Sequence, residues 1–187
     1  SVVMWGLEES LGNSTSGNSF SSVGSAMMHD VQLLGLERFT TYYYQVVTGQ
    51  ASSPIQSFKT PPFASDEQSF RFVAMSDMQQ SSADPLKYDE VIHDGVLDYL
   101  EQNLSGVVSE DLALVLIPGD LVDSGNSYGQ WEDDFFQYST DLFGKVPVYP
   151  VLGNHETNTQ YYFQYFHLPE NGTDGYEEHW WWKDYGN

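Results

Sequence analysis

Three apolar runs in the second half of this chain each stop at a side chain whose oxygen can bind a cation. Phe70-Arg71-Phe72-Val73-Ala74-Met75 runs into Ser76-Asp77-Met78-Gln79. Leu112–Ile117 runs into Pro118-Gly119-Asp120-Leu121-Val122-Asp123, and Val146–Leu152 runs into Gly153-Asn154-His155-Glu156. Carboxylate and amide oxygens suit hard or borderline divalent metals. A carboxylate such as Asp120 can bridge two ions, and a pair of ions can hold both the attacking and the leaving oxygen of a phosphoryl transfer. The glycines before Asp120 and Asn154 permit tight turns that bring backbone close to such a site.

For these residues to meet, the runs must be neighbouring strands of one sheet. Leu112–Ile117 is uninterrupted apolar sequence, as expected of a strand buried on both faces. Between the first two runs, Asp84-Pro85 reads as a helix N-cap with proline at the first helical position. Tyr88, Ile92, Val96, Tyr99 and Leu100 then recur at helical spacing through Leu104. Trp131, Phe135, Tyr138 and Leu142 mark a second helix before the third run. The order βαβαβ implies a parallel sheet with right-handed crossovers. Ligands of open parallel sheets sit outside the carboxyl ends of the strands, so Asp77, Asp120 and Asn154 are expected to converge. Caps and turns, which Asp, Asn and Gly favour anyway, explain each motif singly but not all three in register.

The first third has a different grammar. Val2–Trp5, Met27–Leu36, Thr41–Thr48 and Ile55–Lys59 read as strands, and Glu8–Ser22, rich in Ser, Asn and Gly, reads as a loop. Thr60-Pro61-Pro62 closes this unit and Ala64–Gln68 is a polar linker. Leu36-Glu37-Arg38-Phe39-Thr40-Thr41-Tyr42 resembles the Leu-x-Pro-x-Thr-x-Tyr turn of fibronectin type III domains, with Arg38 in place of proline. The resemblance makes Tyr42 a corner tyrosine whose hydroxyl bonds back to the backbone. A sandwich of this kind needs about seven strands. Only four are legible, so the chain is expected to begin inside the domain.

Charge excludes several partners. The 187 residues carry 27 acidic side chains against 6 basic ones, a net charge of −21. That opposes binding to nucleic acid, which needs Lys and Arg to displace counterions, and docking on anionic lipid. It also repels a phosphate substrate unless bound cations reverse the sign locally. There is no Cys, hence no disulfide or thiolate metal site. No apolar run is long enough to span a membrane. Asn13-Ser14-Thr15, Asn103-Leu104-Ser105 and Asn171-Gly172-Thr173 fit the glycosylation acceptor pattern.

Gly119-Asp120 and Gly153-Asn154-His155-Glu156, preceded by Asp77 at a strand end, resemble the first three blocks of the calcineurin-like metallophosphoesterases, of the purple-acid-phosphatase type. The resemblance covers about Phe70 to Asn187 and extends to the leading β-domain. It implies a partial fibronectin III-like β-sandwich over residues 1–62, followed over 68–187 by the N-terminal half of a metallophosphoesterase α/β sandwich. It implies a metal-dependent hydrolase of phosphate mono- or diesters using two divalent or trivalent ions (Fe, Zn, Mn or Mg). Asp77 would bind the first metal, Asp120 would bridge both, and Asn154 would bind the second. His155 would reach the substrate phosphate and assist the leaving oxygen, and the attacking water would be activated by the metals. An extracellular, cell-surface or periplasmic location goes with this family.

Three departures modify the expectation. Gln79 stands where many members have a metal-binding His, and Gln is a poorer ligand. Asp123 stands where purple acid phosphatases have the iron-binding Tyr, so no purple iron–phenolate site is expected. The later His-bearing blocks are missing, and Trp180–Asn187 resembles the strand and turn that lead towards the fourth. The isolated 187 residues are therefore expected to bind metal poorly and to turn over slowly or not at all. A non-catalytic structural or binding protein of an extracellular assembly, reusing the scaffold and pairing its open sheet edge with another chain, is the alternative. His93, beside Asp89, Glu90 and Asp94, reads as part of a solvated helix face. Tyr161-Tyr162-Phe163 and the three tryptophans 180–182 read as core or interface.

Overall fold

A computed structural model describes residues 1–21 and 26–186. Ser22, the end of the segment read as a loop, and the terminal Asn187 lie outside the described residues. The chain divides into two compact units, Ser1–Ser69 with Tyr185 and Gly186, and Phe70–Asp184.

The first unit is antiparallel β. Strands β1 (Val2–Gly6), β2 (Asn13–Ser16), β5 (Thr41–Thr48), β6 (Ala51–Ser52) and β7 (Gln56–Lys59) form one sheet, and β3 (Asn18–Ser21) pairs with β4 (Met27–Asp30). The Ser- and Asn-rich stretch expected to be a loop thus holds two strands. Its side chains are poor strand formers, but the alternating backbone pairing Val2↔Ser16 to Trp5↔Asn13 holds β2 against β1. β4 stops at Asp30, so the expected strand to Leu36 is shorter. The Tyr42 hydroxyl accepts from the Glu37 amide at 2.9 Å, the backward bond expected of a corner tyrosine. Its buried ring packs edge-on against Trp5 and stacks on Phe58.

The second unit is built on a parallel sheet in the order β10-β9-β8: β8 (Phe72–Ala74), β9 (Leu114–Ile117) and β10 (Val148–Pro150). Register pairs Val73 with Val115 and Val148 with Val115, so the three strands end level with one another. The first connection carries one continuous helical run, Lys87–Glu90 (α1), Val91–Leu97 in π-helical winding, and Asp98–Asn103 (α2). A short helix α3 (Val108–Asp111) follows. The second connection repeats the pattern: α4 (Tyr128–Gln130), π-helical Trp131–Phe136, and α5 (Gln137–Phe143). Most residues predicted to face inward do so: Tyr88, Ile92, Leu100, Trp131, Phe135 and Leu142 are buried together with Val115 and Ile117, and Val96 and Tyr138 are partly buried against them. Tyr99 does not, and is 60% exposed, because it directly precedes Leu100 and so points about 100° away from it around the helix. The N-cap expected at Asp84 is not formed. The helix starts at Lys87 without a side-chain cap, and the Asp84 carboxylate pairs with the Lys87 ammonium at 3.1 Å instead.

Beyond the third strand, the tyrosine cluster is core as expected, whereas the strand expected near the end is not formed. Tyr161 and Tyr162 lie on a short helix, α6 (Gln160–Tyr165), and their rings join the core beside Trp131 and Phe166. No strand forms among the described residues from Trp180 onward. There the Asn171 side chain takes both backbone groups of Trp182, donating to its carbonyl at 2.8 Å and accepting from its amide at 3.1 Å. A side chain thus occupies the hydrogen bonds that a neighbouring strand would need.

Candidate metal centre

Where β8, β9 and β10 end, their backbone ladders end too, and the next amides need other partners. The Asp77 amide donates to the Gly119 carbonyl at 3.4 Å and the Met78 amide to the Asp120 carbonyl at 2.9 Å. The loop after β8 therefore lies alongside the loop after β9. On the other side of Asp120, its Oδ1 accepts from the His155 amide at 3.2 Å. Asp77, Asp120 and the Gly153–Glu156 turn thus occupy adjoining loops at the carboxyl ends of adjacent strands. Asp77 and Asn154 are exposed and Asp120 is half-buried.

The backbone here is unusual. Asp77 and Asp120 have φ of 56° and 54°, the left-handed region that side chains with a β-carbon disfavour. Gly119, at φ 105°, has no room for a side chain, since a β-carbon would come within 2.8 Å of the Gly153 Cα. At Gly153 a β-carbon would fall on the Asp120 carboxylate and amide nitrogen. The glycines thus permit the close approach of the two loops that carry Asp120 and Asn154.

Glu156 carries the densest set of hydrogen bonds in the site, and its role was not legible in the sequence. Its side chain is 0% exposed. Oε2 accepts from the amides of Gly153 at 2.7 Å and Asp120 at 3.0 Å. Oε1 accepts from those of Leu121 at 2.8 Å and Val122 at 3.3 Å. The only sequence signal is its place after His155. Its partners are mostly remote in the chain.

His155 is tied through its ring. Nδ1 lies 2.7 Å from the Asp123 carbonyl, which can only accept, so this nitrogen carries the proton. That bond raises the His155 pKa above the ordinary histidine value. Partial burial pulls it down, and the Asp120, Asp123 and Glu156 carboxylates push it up again. Asp123 therefore acts here through its backbone as much as through its carboxylate, which stands 3.6 Å from the same nitrogen.

Beside Asp77 opens a cavity of about 280 Å³ lined by Gln79, Gln80, Asp84, Lys87, Tyr88 and Asp134 among others. The Gln79 Oε1 is buried and has no hydrogen-bond partner. An orphaned carbonyl oxygen two residues from Asp77 has its lone pairs free for a cation. Like the carboxylates of Asp77 and Asp120 and the amide of Asn154, it is an oxygen donor of the type hard cations take. Among the described residues, no three His, Cys, Asp or Glu side chains gather closely enough to hold an ion by themselves. The donor types present, carboxylate and amide oxygens, are chemically suited to a hard cation.

Comparison with known proteins gives concordant matches. The calcineurin-like phosphoesterase family model matches residues 70–185. The model of the purple acid phosphatase N-terminal domain matches residues 1–60. The chain is 30% identical over 132 residues to purple acid phosphatase 22 of Arabidopsis thaliana, covering 71% of this chain and 25% of that protein. Among solved structures it is similar to the purple acid phosphatase PPD1 from seeds of yellow lupin (Lupinus luteus). The TM-score is 0.68 at 18% identity, over 98% of this chain and 38% of that one. At that identity the likeness shows the fold. The chain spans about a quarter of the length of the curated relative it matches.

Proposed function

Because this chain belongs to the calcineurin-like phosphoesterase family, with a purple acid phosphatase N-terminal domain ahead of it, we propose that it forms part of a metal-dependent hydrolase of phosphate mono- or diesters. In this reading Asp77, Asp120 and Asn154 are the metal ligands, Asp120 bridges, Gln79 supplies a further oxygen, and His155 faces the substrate. The observation that carries it is the lacing of the loops after the three parallel strands, with Asp120 bonded to both its neighbours. Two cations held there would supply Lewis acidity and a water acidified towards neutral pH.

The chain's own residues do the rest. The Asp120 carboxylate is fixed by the His155 amide and so presents its remaining lone pairs in one direction. His155, protonated at Nδ1 and held by the Asp123 carbonyl, is oriented by a bond that leaves its other ring nitrogen for a substrate oxygen. Cations are also required on electrostatic grounds, since a chain of net charge −21 otherwise repels a phosphate ester.

The remaining parts of the reading follow. Residues 1–62 are part of a fibronectin type III-like domain and residues 68–187 are the first half of the catalytic domain. The protein works outside the cytoplasm. No helix among the described residues is long and apolar enough to cross a membrane. The test is hydrolysis of a generic aryl phosphate by the full-length protein with added Mn²⁺ or Zn²⁺. Turnover that Asp120→Asn abolishes is expected. A full-length protein without turnover, or one that Asp120→Asn leaves unchanged, sinks the reading in favour of a non-catalytic scaffold.

A further inference from the structure

Resting on the metal-site reading above, we propose that Glu156 is the positioning residue of the centre: its buried carboxylate sets the spacing between the loops that carry Asp120 and Asn154. Four backbone amides converge on it, three from the loop after β9 and one from the loop after β10. One carboxylate therefore clasps both loops at once. Oε2 does so by itself, since it accepts from Asp120 on one side and from Gly153 on the other.

A buried carboxylate is costly unless its charge is met by hydrogen bonds. Its two oxygens together offer about four acceptor positions. Here all are taken by amides, and bonds from N–H to a charged acceptor are among the stronger ones. Glu156 is thus excluded as a ligand, since no lone pair is left to face an ion. The same bonds bear on the backbone. Asp120 stands in the left-handed region, which is unfavourable for a residue with a β-carbon. The bond from its amide to Glu156 is one of the contacts that hold it there.

Glu156 is itself fixed on every side. Its carbonyl accepts from the Thr159 amide at 2.9 Å, and the Gly125 amide donates to the adjoining His155 carbonyl at 3.0 Å. A β-carbon at Gly125 would come within 2.6 Å of the Glu156 Cα, so the chain passes directly over it. Movement of this carboxylate would therefore displace Asp120 and Gly153 together, and with Gly153 its neighbour Asn154.

Shape alone does not meet this requirement. In E156Q the side chain keeps its size, but its NH₂ would face two amide donors and could accept from neither. In E156D the charge is kept but the reach is shorter. The experiment is Mn²⁺ titration of the full-length protein by calorimetry, with amide hydrogen exchange followed by NMR, for wild type, E156Q and E156D. Expected is a folded E156Q whose Mn²⁺ affinity falls about 10- to 100-fold, the range seen when a group supporting a ligand is lost. Its Asp120 and Gly153 amides lose protection, and E156D recovers part of both. A folded E156Q that binds Mn²⁺ as wild type does overturns the positioning role, even if its melting temperature has dropped. If E156Q does not fold, E156D decides: wild-type affinity with exposed Asp120 and Gly153 amides overturns the role equally. Wild-type protein that takes up no Mn²⁺ sinks the metal-site reading itself, and the role of Glu156 with it.

Discussion

The amide of His155 donates to the Asp120 carboxylate across 3.2 Å, so the loop after the third strand leans directly on the side chain of the loop after the second. The contact exists only because Gly153, two residues earlier, has no side chain. Gly153→Ala would push a methyl group into the Asp120 carboxylate. Such overpacking costs roughly 1–3 kcal/mol and must be relieved by moving one loop. The expected result is a lower melting temperature together with weaker Mn²⁺ binding. Unchanged binding by calorimetry would mean that the two loops are not coupled.

The indole of Trp131 is completely buried, and its N–H donates to the Gly125 carbonyl at 2.8 Å. It thereby joins the second helical run to the loop that passes over Glu156. Trp131→Ala should destabilise the protein by about 3–5 kcal/mol. Trp131→Phe keeps most of the ring contacts with Phe135 and Phe166 but orphans the Gly125 carbonyl, and should cost about 1–3 kcal/mol. Urea unfolding of the three proteins checks the order.

In the first unit, the Tyr42 hydroxyl accepts from the Glu37 amide. Tyr42→Phe deletes that one bond and leaves the stacking on Phe58 in place. A loss of about 0.5–1.5 kcal/mol is expected, read from unfolding of the β unit. A neutral result would mean that water satisfies Glu37 equally well.

His93 links the two helical runs, with Nδ1 2.7 Å from an Asp89 carboxylate oxygen and Nε2 3.4 Å from Asp141. Burial pulls its pKa down, but Asp141 and Asp89 outweigh it and the net shift is upward. A pKa raised on folding means that the folded state holds the proton more tightly. The added stability is complete below the unfolded value of about 6.5 and fades as pH climbs through the folded one. Both partners are well exposed, so the gain is at most about 1 kcal/mol and falls with salt. His93→Gln should flatten the stability difference between pH 6 and pH 8.5. Identical slopes for the two proteins would show that His93 titrates without consequence.

Apolar spacing makes the second unit legible. The intervals between Ile92, Leu100, Trp131 and Leu142 alone place them on inward helix faces, and they are buried. The winding is not legible. Val91–Leu97 and Trp131–Phe136 close hydrogen bonds one residue longer than an α-helix does, for example from the Asp98 amide to the His93 carbonyl. Both windings bury nearly the same residues, so the apolar pattern does not distinguish them. The strands β2 and β3 escape notice because Ser and Asn carry no strand signal. Their pairing is decided by β1 and β4, not by their own side chains.

The candidate site divides along the same line. Asp77, Asp120 and Asn154 stand out because ligand-type residues follow apolar runs. Glu156 does not, because three of its four bonds reach backbone amides 34 to 36 residues away, where the identity of the donor residue does not matter. A backbone partner leaves no mark in a sequence.

The left-handed turns at Asp77 and Asp120 set heat tolerance against chemistry. Glycine would relax either turn, and a β-carbon in that conformation costs roughly 1 kcal/mol or more. A laboratory selection for thermal resistance alone, run without added cations, would therefore favour glycine at these two positions and discard the carboxylates of the proposed metal centre.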